Sequence, residues 1–476
     1  MKKTIQYYLI AFVLLLSSLG TEKLNAQNNK EIISKPPMGY NSYDSYGVYL
    51  HEDAAIRNID ELARRYKQYG YEYFVIDAGW FGEFKLRSGT MYPMEKHAAD
   101  VRINEYGLLQ PSKTYFPNGL KVLADRCHAK GLKFGVHIMR GIPRKAVQLN
   151  TKVQGTNYTA RQIADTTSIC SWNSQNYGVD MTKPGAQEFY NSLINQLAAW
   201  GVDFIKADDI VPFPKEVEAV VKAVAQCGRP IVLSLSPGGK VDPNAIGTFK
   251  KANMLRVTHD IWDDQIGIDR CFDAWRKWQG KESASFYIDM DMIPFGELQM
   301  MSPKPENLKG TETKNEINKM KKQGLLSNIE LLCGKGWHRQ SEFSKEQQLT
   351  FITMRALAAS PLMIGGDLVS MDELSYKLLI NKEMIACNQN GVMGSLIYDK
   401  DKIECWKTPK AGTQQGWIGI FNRDVNISRK IKIESEMLGL KNTDNYKLFN
   451  IWENTTFKTG SQVEIPANGV LFLKYY

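Results

Sequence analysis

Eight short apolar runs, each separated from the next by a stretch with helical character, constrain this chain more than any other feature. They are Met38–Tyr43, Tyr73–Asp77, Lys133–Met139, Phe204–Asp208, Pro230–Ser236, Met254–Asp260, Phe286–Asp291 and Pro361–Asp367. Runs of this length between helical patterns read as buried strands of a parallel sheet. Between them, His51–Gly70 sets Ile56, Ile59, Leu62, Ala63 and Tyr66 on one helical face. Ser344-Lys345-Glu346-Gln347 opens another helix as a capping box ahead of Leu349, Ile352 and Leu357. Eight strands with right-handed helical crossovers close most naturally into a (β/α)8 TIM barrel, an α/β fold. An open doubly wound sheet is the structural alternative, but no phosphate-cradling glycine loop follows any run.

The fourth run carries the chemistry. After Trp200-Gly201 the apolar segment Val202–Ile205 ends in Lys206-Ala207-Asp208-Asp209, and a barrel presents such strand ends at its functional face. The sixth run ends in Arg256-Val257-Thr258-His259-Asp260, which offers a second carboxylate from another strand. Two carboxylates facing each other across a barrel mouth are what glycoside hydrolysis requires. From about Gly391 the pattern changes to short alternating runs split by Gly, Asn, Asp and Lys turns. They are Leu396–Tyr398, Ile403–Trp406, Trp417–Phe421, Lys430–Ile433, Tyr446–Trp452 and Val470–Tyr475, and they predict an antiparallel β-sandwich. The expected organisation is a leader over 1–26, a catalytic barrel over 33–389 and a C-terminal β-sandwich over 391–476. Two polar insertions, Phe81–Gly119 and Gly296–Phe343, either shape the substrate cleft or are ordinary loop decoration.

Lys2 and Lys3, an apolar stretch from Tyr7 to Leu19 and the small-residue site Leu24-Asn25-Ala26 predict a secretory signal peptide cleaved after Ala26. An exported protein, periplasmic or secreted, follows, with no membrane span. The formal net charge of +9 is dispersed apart from Lys319-Met320-Lys321-Lys322, so no nucleic-acid partner is expected. The seven cysteines, at 127, 170, 227, 271, 333, 387 and 405, show no CxxC pair and predict few or no disulfides. The six scattered histidines lack ligand spacing, so no metal and no organic cofactor is expected. Oligomeric state is not written in the sequence.

Several segments resemble glycoside hydrolase family twenty-seven, the α-galactosidase and α-N-acetylgalactosaminidase family. Pro36-Pro37-Met38-Gly39-Tyr40-Asn41-Ser42-Tyr43 is similar to its PPMGWNSW opening and Ile76-Asp77-Ala78-Gly79-Trp80 to its IDDCW strand. Trp200–Asp208 is similar to its WGVDYLKYD strand, Arg256 to Asp260 to its RxxxD element, Asp289–Met292 to its DPDM and Ser360–Met363 to its SPLM. The matches run in family order across nearly all of the mature chain. They imply a barrel followed by a β-sandwich, and an exo-acting retaining hydrolase that takes an oligosaccharide or polysaccharide-derived glycan.

Carried over by position, the resemblance makes Asp208 the nucleophile and Asp260 the general acid/base. It makes Lys206 a donor to sugar hydroxyls, Asp77 an acceptor from them and Arg256 the holder of the 2-position side. Tyr43 takes the place of a stacking tryptophan, and Asp291 takes a sugar-facing or supporting role. His137 and Arg140 are expected to line the pocket, and Asp209 to support the nucleophile or face solvent. Trp80 and Trp262 read as sugar platforms or as core, and His259 as a packed barrel-wall histidine. Departures concern the sugar. Ala78 replaces an aspartate on the O4/O6 side, His137 a tyrosine, and Ile210 a disulfide cysteine. Ser236 stands at a position where N-acetylgalactosaminidases carry serine, and Gly238 and Gly239 would enlarge the space there. α-Galactoside is the leading substrate. α-N-acetylgalactosaminide and β-L-arabinopyranoside are alternatives, and a glycan-binding paralogue without activity is the reading from another class. An aldolase lysine at Lys206 conflicts with its neighbouring carboxylates, and a Mg²⁺ cage of Asp208, Asp209, Asp260 and Asp291 is compatible with composition alone.

Overall fold

The computed structural model describes residues 32–94, 98–237, 241–302, 335–441 and 446–476. All eight predicted runs contain strands: β1 Met38–Asn41, β2 Tyr73–Ile76, β3 Lys133–Met139, β4 Phe204–Asp208, β5 Val232–Leu235, β6 Met254–Arg256, β7 Tyr287–Asp289 and β8 Leu362–Ile364. They pair in parallel in the order β7-β6-β5-β4-β3-β2-β1-β8. Just past β7, Ile293 bridges in parallel to Ile364 of β8; its N–H donates to Met363 O and its carbonyl accepts from Gly365 N–H. The two edges thus meet, and the sheet is the expected TIM barrel. The predicted leader, Gly238, Gly239, Cys333, the lysines of 319–322 and most of the Gly296–Phe343 insertion lie outside the described residues.

Strand alternation decides which residues reach the functional rim. Tyr73, Val75, Phe204, Val232, Met254, Tyr287 and Met363 form one cluster inside the barrel. Ile205, Ala207, Leu233, Leu255 and Ile288 belong to the larger cluster beneath the helices. Four inward columns start apolar and end charged: Tyr73-Val75-Asp77, Phe204-Lys206-Asp208, Met254-Arg256 and Tyr287-Asp289-Asp291. Period two in the sequence therefore lifts the ionisable groups to one end of a barrel plugged with apolar side chains. Gly135 of β3 is part of the plug. A Cβ there would stand 2.9 Å from both Phe204 Cβ and Val75 Cγ2, so the absent side chain is what admits the Phe204 ring.

Two helical expectations met the structure differently. The Ser344 box forms, with Gln347 N–H on Ser344 Oγ at 3.2 Å and Ser344 N–H on Gln347 Oε1 at 2.9 Å, opening the helix Lys345–Leu357. His51–Gly70 is not a single α-helix. Glu52–Glu61 is α-helical, Leu62–Tyr66 widens to a π turn and Lys67–Tyr69 tightens to a 3-10 turn. That widening keeps both Leu62 and Tyr66 buried as the helix approaches its end.

The C-terminal unit is a six-stranded antiparallel sheet backed by a two-stranded one, Arg429–Lys432 with Gln462–Ile465. Its central strands use both faces. Ile403, Cys405, Ile418, Ile420, Leu471 and Leu473 pack towards the small sheet, while Trp406, Trp417, Phe421 and Phe472 pack towards the barrel. At that seam Trp406 stacks on Trp275 of the barrel helix Gln265–Trp278, with ring centroids 3.8 Å apart, and Trp275 Nε1–H donates to Gly394 O. Trp275→Ala is expected to cost about 3–5 kcal/mol of stability. Chemical denaturation followed by tryptophan fluorescence would measure the loss. The six cysteines among the described residues are all free.

Candidate active site

A cleft of about 640 Å³ opens at the C-terminal ends of the barrel strands. Of the residues singled out by sequence, its wall gathers Tyr43, Asp77, His137, Lys206, Asp208, Arg256 and Asp260. Ser236 and Asp291 line a small adjoining cavity that shares Lys206 and Arg256 with the cleft. Residues from seven strand ends, β1 to β7, thus converge, although they span more than two hundred positions in the chain.

Asp208 ends β4 and is 7 % exposed. One carboxylate oxygen accepts from Asp209 N–H at 2.9 Å, and the other lies 3.2 Å from His137 Nε2 on the adjacent strand β3. Burial pushes its pKa upward. The hydrogen bond and charge of His137, with the charges of Arg256 and Lys206, outweigh that and hold Asp208 well below the usual carboxylate range. The group is ionised at every ordinary working pH, which is what a nucleophile needs.

Asp260 has a different environment. Strand β6 ends at Arg256, so Asp260 rides on the following loop rather than on the strand, with its side chain 57 % exposed. The buried Arg256 guanidinium holds it at 2.9 Å and also holds Asp291 at 3.1 Å. Asp291 is fixed in turn by Ile261 N–H at 2.8 Å and adopts a left-handed backbone, φ 75°. One arginine therefore orients a carboxylate at the open lip and anchors a second one beneath it.

Lys206 and Asp77 form the polar floor. The Lys206 ammonium lies 2.7 Å from Asp77 Oδ2, which also accepts from Asn41 Nδ2 at 2.8 Å. Burial favours the neutral amine, yet Asp77 and Asp208 raise the Lys206 pKa above its ordinary value. A charged lysine is a hydrogen-bond donor and not a Schiff-base nucleophile, so the aldolase reading has no support here. Among the described residues no group of three or more His, Cys, Asp or Glu side chains is arranged to hold a metal ion.

Four expectations need correction or refinement. Arg140 does not line the cleft. It sits one residue past β3 with parity opposite to His137, and its guanidinium binds Asp209 at 3.0 Å and Glu216 at 2.9 Å behind Asp208. Asp209 is consequently buried and not solvent-facing. His259 is exposed and lines the cleft, because strand parity no longer applies beyond Arg256. Trp80 is core, with Nε1–H donating to His137 O at 2.9 Å, whereas Trp262 does reach the cleft wall.

The sequence reading did not single out Asp44, Trp172, Asn173, Arg270 and Lys335 on the same wall. Trp172 and Asn173 come from a hairpin after β3, Ala164–Ile169 with Asn176–Val179. Its consecutive Thr166, Thr167 and Ser168 carry little apolar signal. Asp44 follows Tyr43 directly in the opening motif, and that adjacency was the available clue.

Comparison with known proteins agrees with this geometry. The melibiase family model matches residues 30–212, and the α-galactosidase C-terminal β-sandwich model matches residues 400–475. α-Galactosidase 2 of Arabidopsis thaliana is 26 % identical over 436 residues, covering 90 % of this chain and 85 % of that protein. The crystal structure of a family-twenty-seven β-L-arabinopyranosidase from Geobacillus stearothermophilus superposes with a TM-score of 0.81 at 33 % identity, covering 94 % of this chain and 98 % of that one. That of a candidate α-N-acetylgalactosaminidase from Bacillus halodurans gives 0.75 at 32 % identity, covering 92 % and 96 %.

Proposed function

The chain belongs to glycoside hydrolase family twenty-seven, the melibiase family, and on that premise we propose that its cleft removes a terminal, galacto-configured pyranoside from a glycan with retention at the anomeric carbon. The observation that carries the reading is the contrast between two carboxylates on one cleft wall. Asp208 is buried and held ionised, while Asp260 stands half in water at the lip. In the first step Asp208 attacks the anomeric carbon while Asp260 gives its proton to the departing oxygen. In the second, water displaces Asp208 from the glycosyl ester and Asp260 takes the proton back. Lys206 and Asp77 supply a donor and an acceptor for ring hydroxyls, and Arg256 sets the orientation of Asp260. The apolar plug below the cleft supports exo action, since a ring entering there has no exit. The amino-terminal pattern ending at Ala26 supports export.

A second reading of the sugar is favoured by Ala78, which lines the cleft beside Asp77 where an acidic side chain would meet an exocyclic hydroxyl. A β-L-arabinopyranoside has no such group, and the Geobacillus relative is a β-L-arabinopyranosidase. The deciding experiment offers 4-nitrophenyl α-galactoside, α-N-acetylgalactosaminide, β-L-arabinopyranoside and α-glucoside to wild type and to Ala78→Asp. Release from a galacto-configured sugar and not from α-glucoside is expected. In the variant the ratio of α-galactoside to β-L-arabinopyranoside turnover should rise by roughly tenfold or more. Silence across the panel and on natural oligosaccharides would overturn the hydrolase reading.

A further inference from the structure

We propose that the hairpin following β3 forms a leaving-group subsite in which Trp172 is the platform for a sugar ring, so that the natural substrate carries a sugar, not an alkyl or lipid group, as its aglycone. This rests on the hydrolase reading above and adds the identity of the departing half.

Trp172 is 49 % exposed and lines the same cleft as Asp208 and Asp260. Its use differs from that of Trp80, Trp275, Trp278 and Trp406, all of which are buried side chains of the core. An indole left half in water at a cleft lip costs solvation free energy that burial elsewhere would recover. No ring or cation stacks on it among the described residues.

The platform is nonetheless fixed. Arg140 donates to Ser168 Oγ of the hairpin at 3.0 Å with the same nitrogen that binds Glu216, while its other nitrogens clasp Asp209. Asn176 on the returning strand donates to Arg140 O at 2.9 Å, and Arg140 N–H donates to Asp208 O at 2.9 Å. The hairpin, Arg140 and the strand bearing Asp208 are therefore tied together, and the segment carrying Trp172 is anchored on both of its sides, at Ser168 and at Asn176.

The chemistry around the platform selects its occupant. Asn173, next in the chain, accepts from Gln175 N–H at 2.8 Å through its carbonyl oxygen, and its amide nitrogen donates to no protein group among the described residues. His259, Asp260, Arg270 and Lys335 make the remaining lip polar. One apolar plate among hydrogen-bonding groups suits a pyranose, which offers a C–H face to the indole and hydroxyls to its surroundings. An alkyl chain would cover that polar lip without hydrogen-bonding to it.

The test compares Trp172→Ala and Trp172→Phe with wild type on two substrates of the same cleaved sugar: an oligosaccharide, and the glycosyl fluoride, whose leaving group has nothing to stack. For the oligosaccharide, kcat/KM should fall about tenfold in Trp172→Ala and largely return in Trp172→Phe. For the fluoride it should stay unchanged in both. Equal losses on the two substrates would make Trp172 a support of the hairpin and overturn the subsite, as would no loss on the oligosaccharide. A wild type inert towards both would instead remove the hydrolase reading, and the subsite with it.

Discussion

Asp208→Asn is expected to lower kcat by on the order of 10⁴-fold or more, while the sugar still binds. The amide has nearly the same shape and keeps the hydrogen bond from Asp209 N–H, so the floor made by Lys206 and Asp77 stays in place. It cannot attack carbon, and no neighbouring carboxylate can substitute: Asp209 is tied to Arg140, and Asp77 to Lys206. Turnover of the best panel substrate, with calorimetric binding of the free sugar, measures both halves of the result. Equal inertness of wild type and variant, with equal binding, would favour a glycan-binding protein without activity. The variant also reports on pH. Because the folded pKa of Asp208 is depressed, its contribution to stability is present above the unfolded value of about 3.9 and is lost as pH falls through the folded value. Replacing it should therefore flatten the loss of stability below about pH 4.

The second large effect is on stability. Arg140→Met leaves two buried carboxylates, Asp209 and Glu216, without their cation, at a cost of about 3–5 kcal/mol at neutral pH. Burial already raises both pKa values, and Arg140 offsets only part of that rise. An acid whose folded pKa is raised takes up its proton more readily in the folded state. Its contribution to stability is then greatest below the unfolded pKa and falls as pH climbs to the folded one. Removing Arg140 widens that interval upward, so the deficit should be smaller at pH 5 than at pH 7.5. Denaturant titrations at the two pH values measure it. An equal deficit would assign the loss to packing on Phe213, whose ring lies 3.5 Å from the Arg140 guanidinium carbon.

The barrel was legible because its signal is local and repeated. Each strand is a short apolar run, and within it parity assigns every second residue to the inside, which is enough to bring Asp77, Lys206, Asp208 and Arg256 to one rim. Legibility ended where the strands ended. Parity misjudged His259 because β6 stops at Arg256, and the same early stop moved Asp260 from a strand to a loop. Arg140 was misread for the opposite reason: its parity relative to His137 already pointed it away from the cleft. The hairpin bearing Trp172 was invisible, since Thr166, Thr167 and Ser168 give neither apolar periodicity nor a turn motif. Its place is set by Arg140, a contact between segments about thirty residues apart. The π turn at Leu62–Tyr66 arises similarly from packing demands that a single helical face cannot express.

The six-stranded sheet beside the barrel has no free apolar face, and this bears on descent as much as on folding. A domain that presents a polar back to its neighbour can be exchanged between genes, because any partner tolerates it. Here Trp406 and Phe421 pack on Trp275 and Phe272 of a barrel helix, Trp417 and Phe472 join the same core, Arg276 reaches across to Glu404 and Arg423 reaches back to Asp269. Neither half can be inherited alone without exposing a band of aromatic rings. The pair is constrained to diverge together, and substitutions at the seam should arise as matched sets.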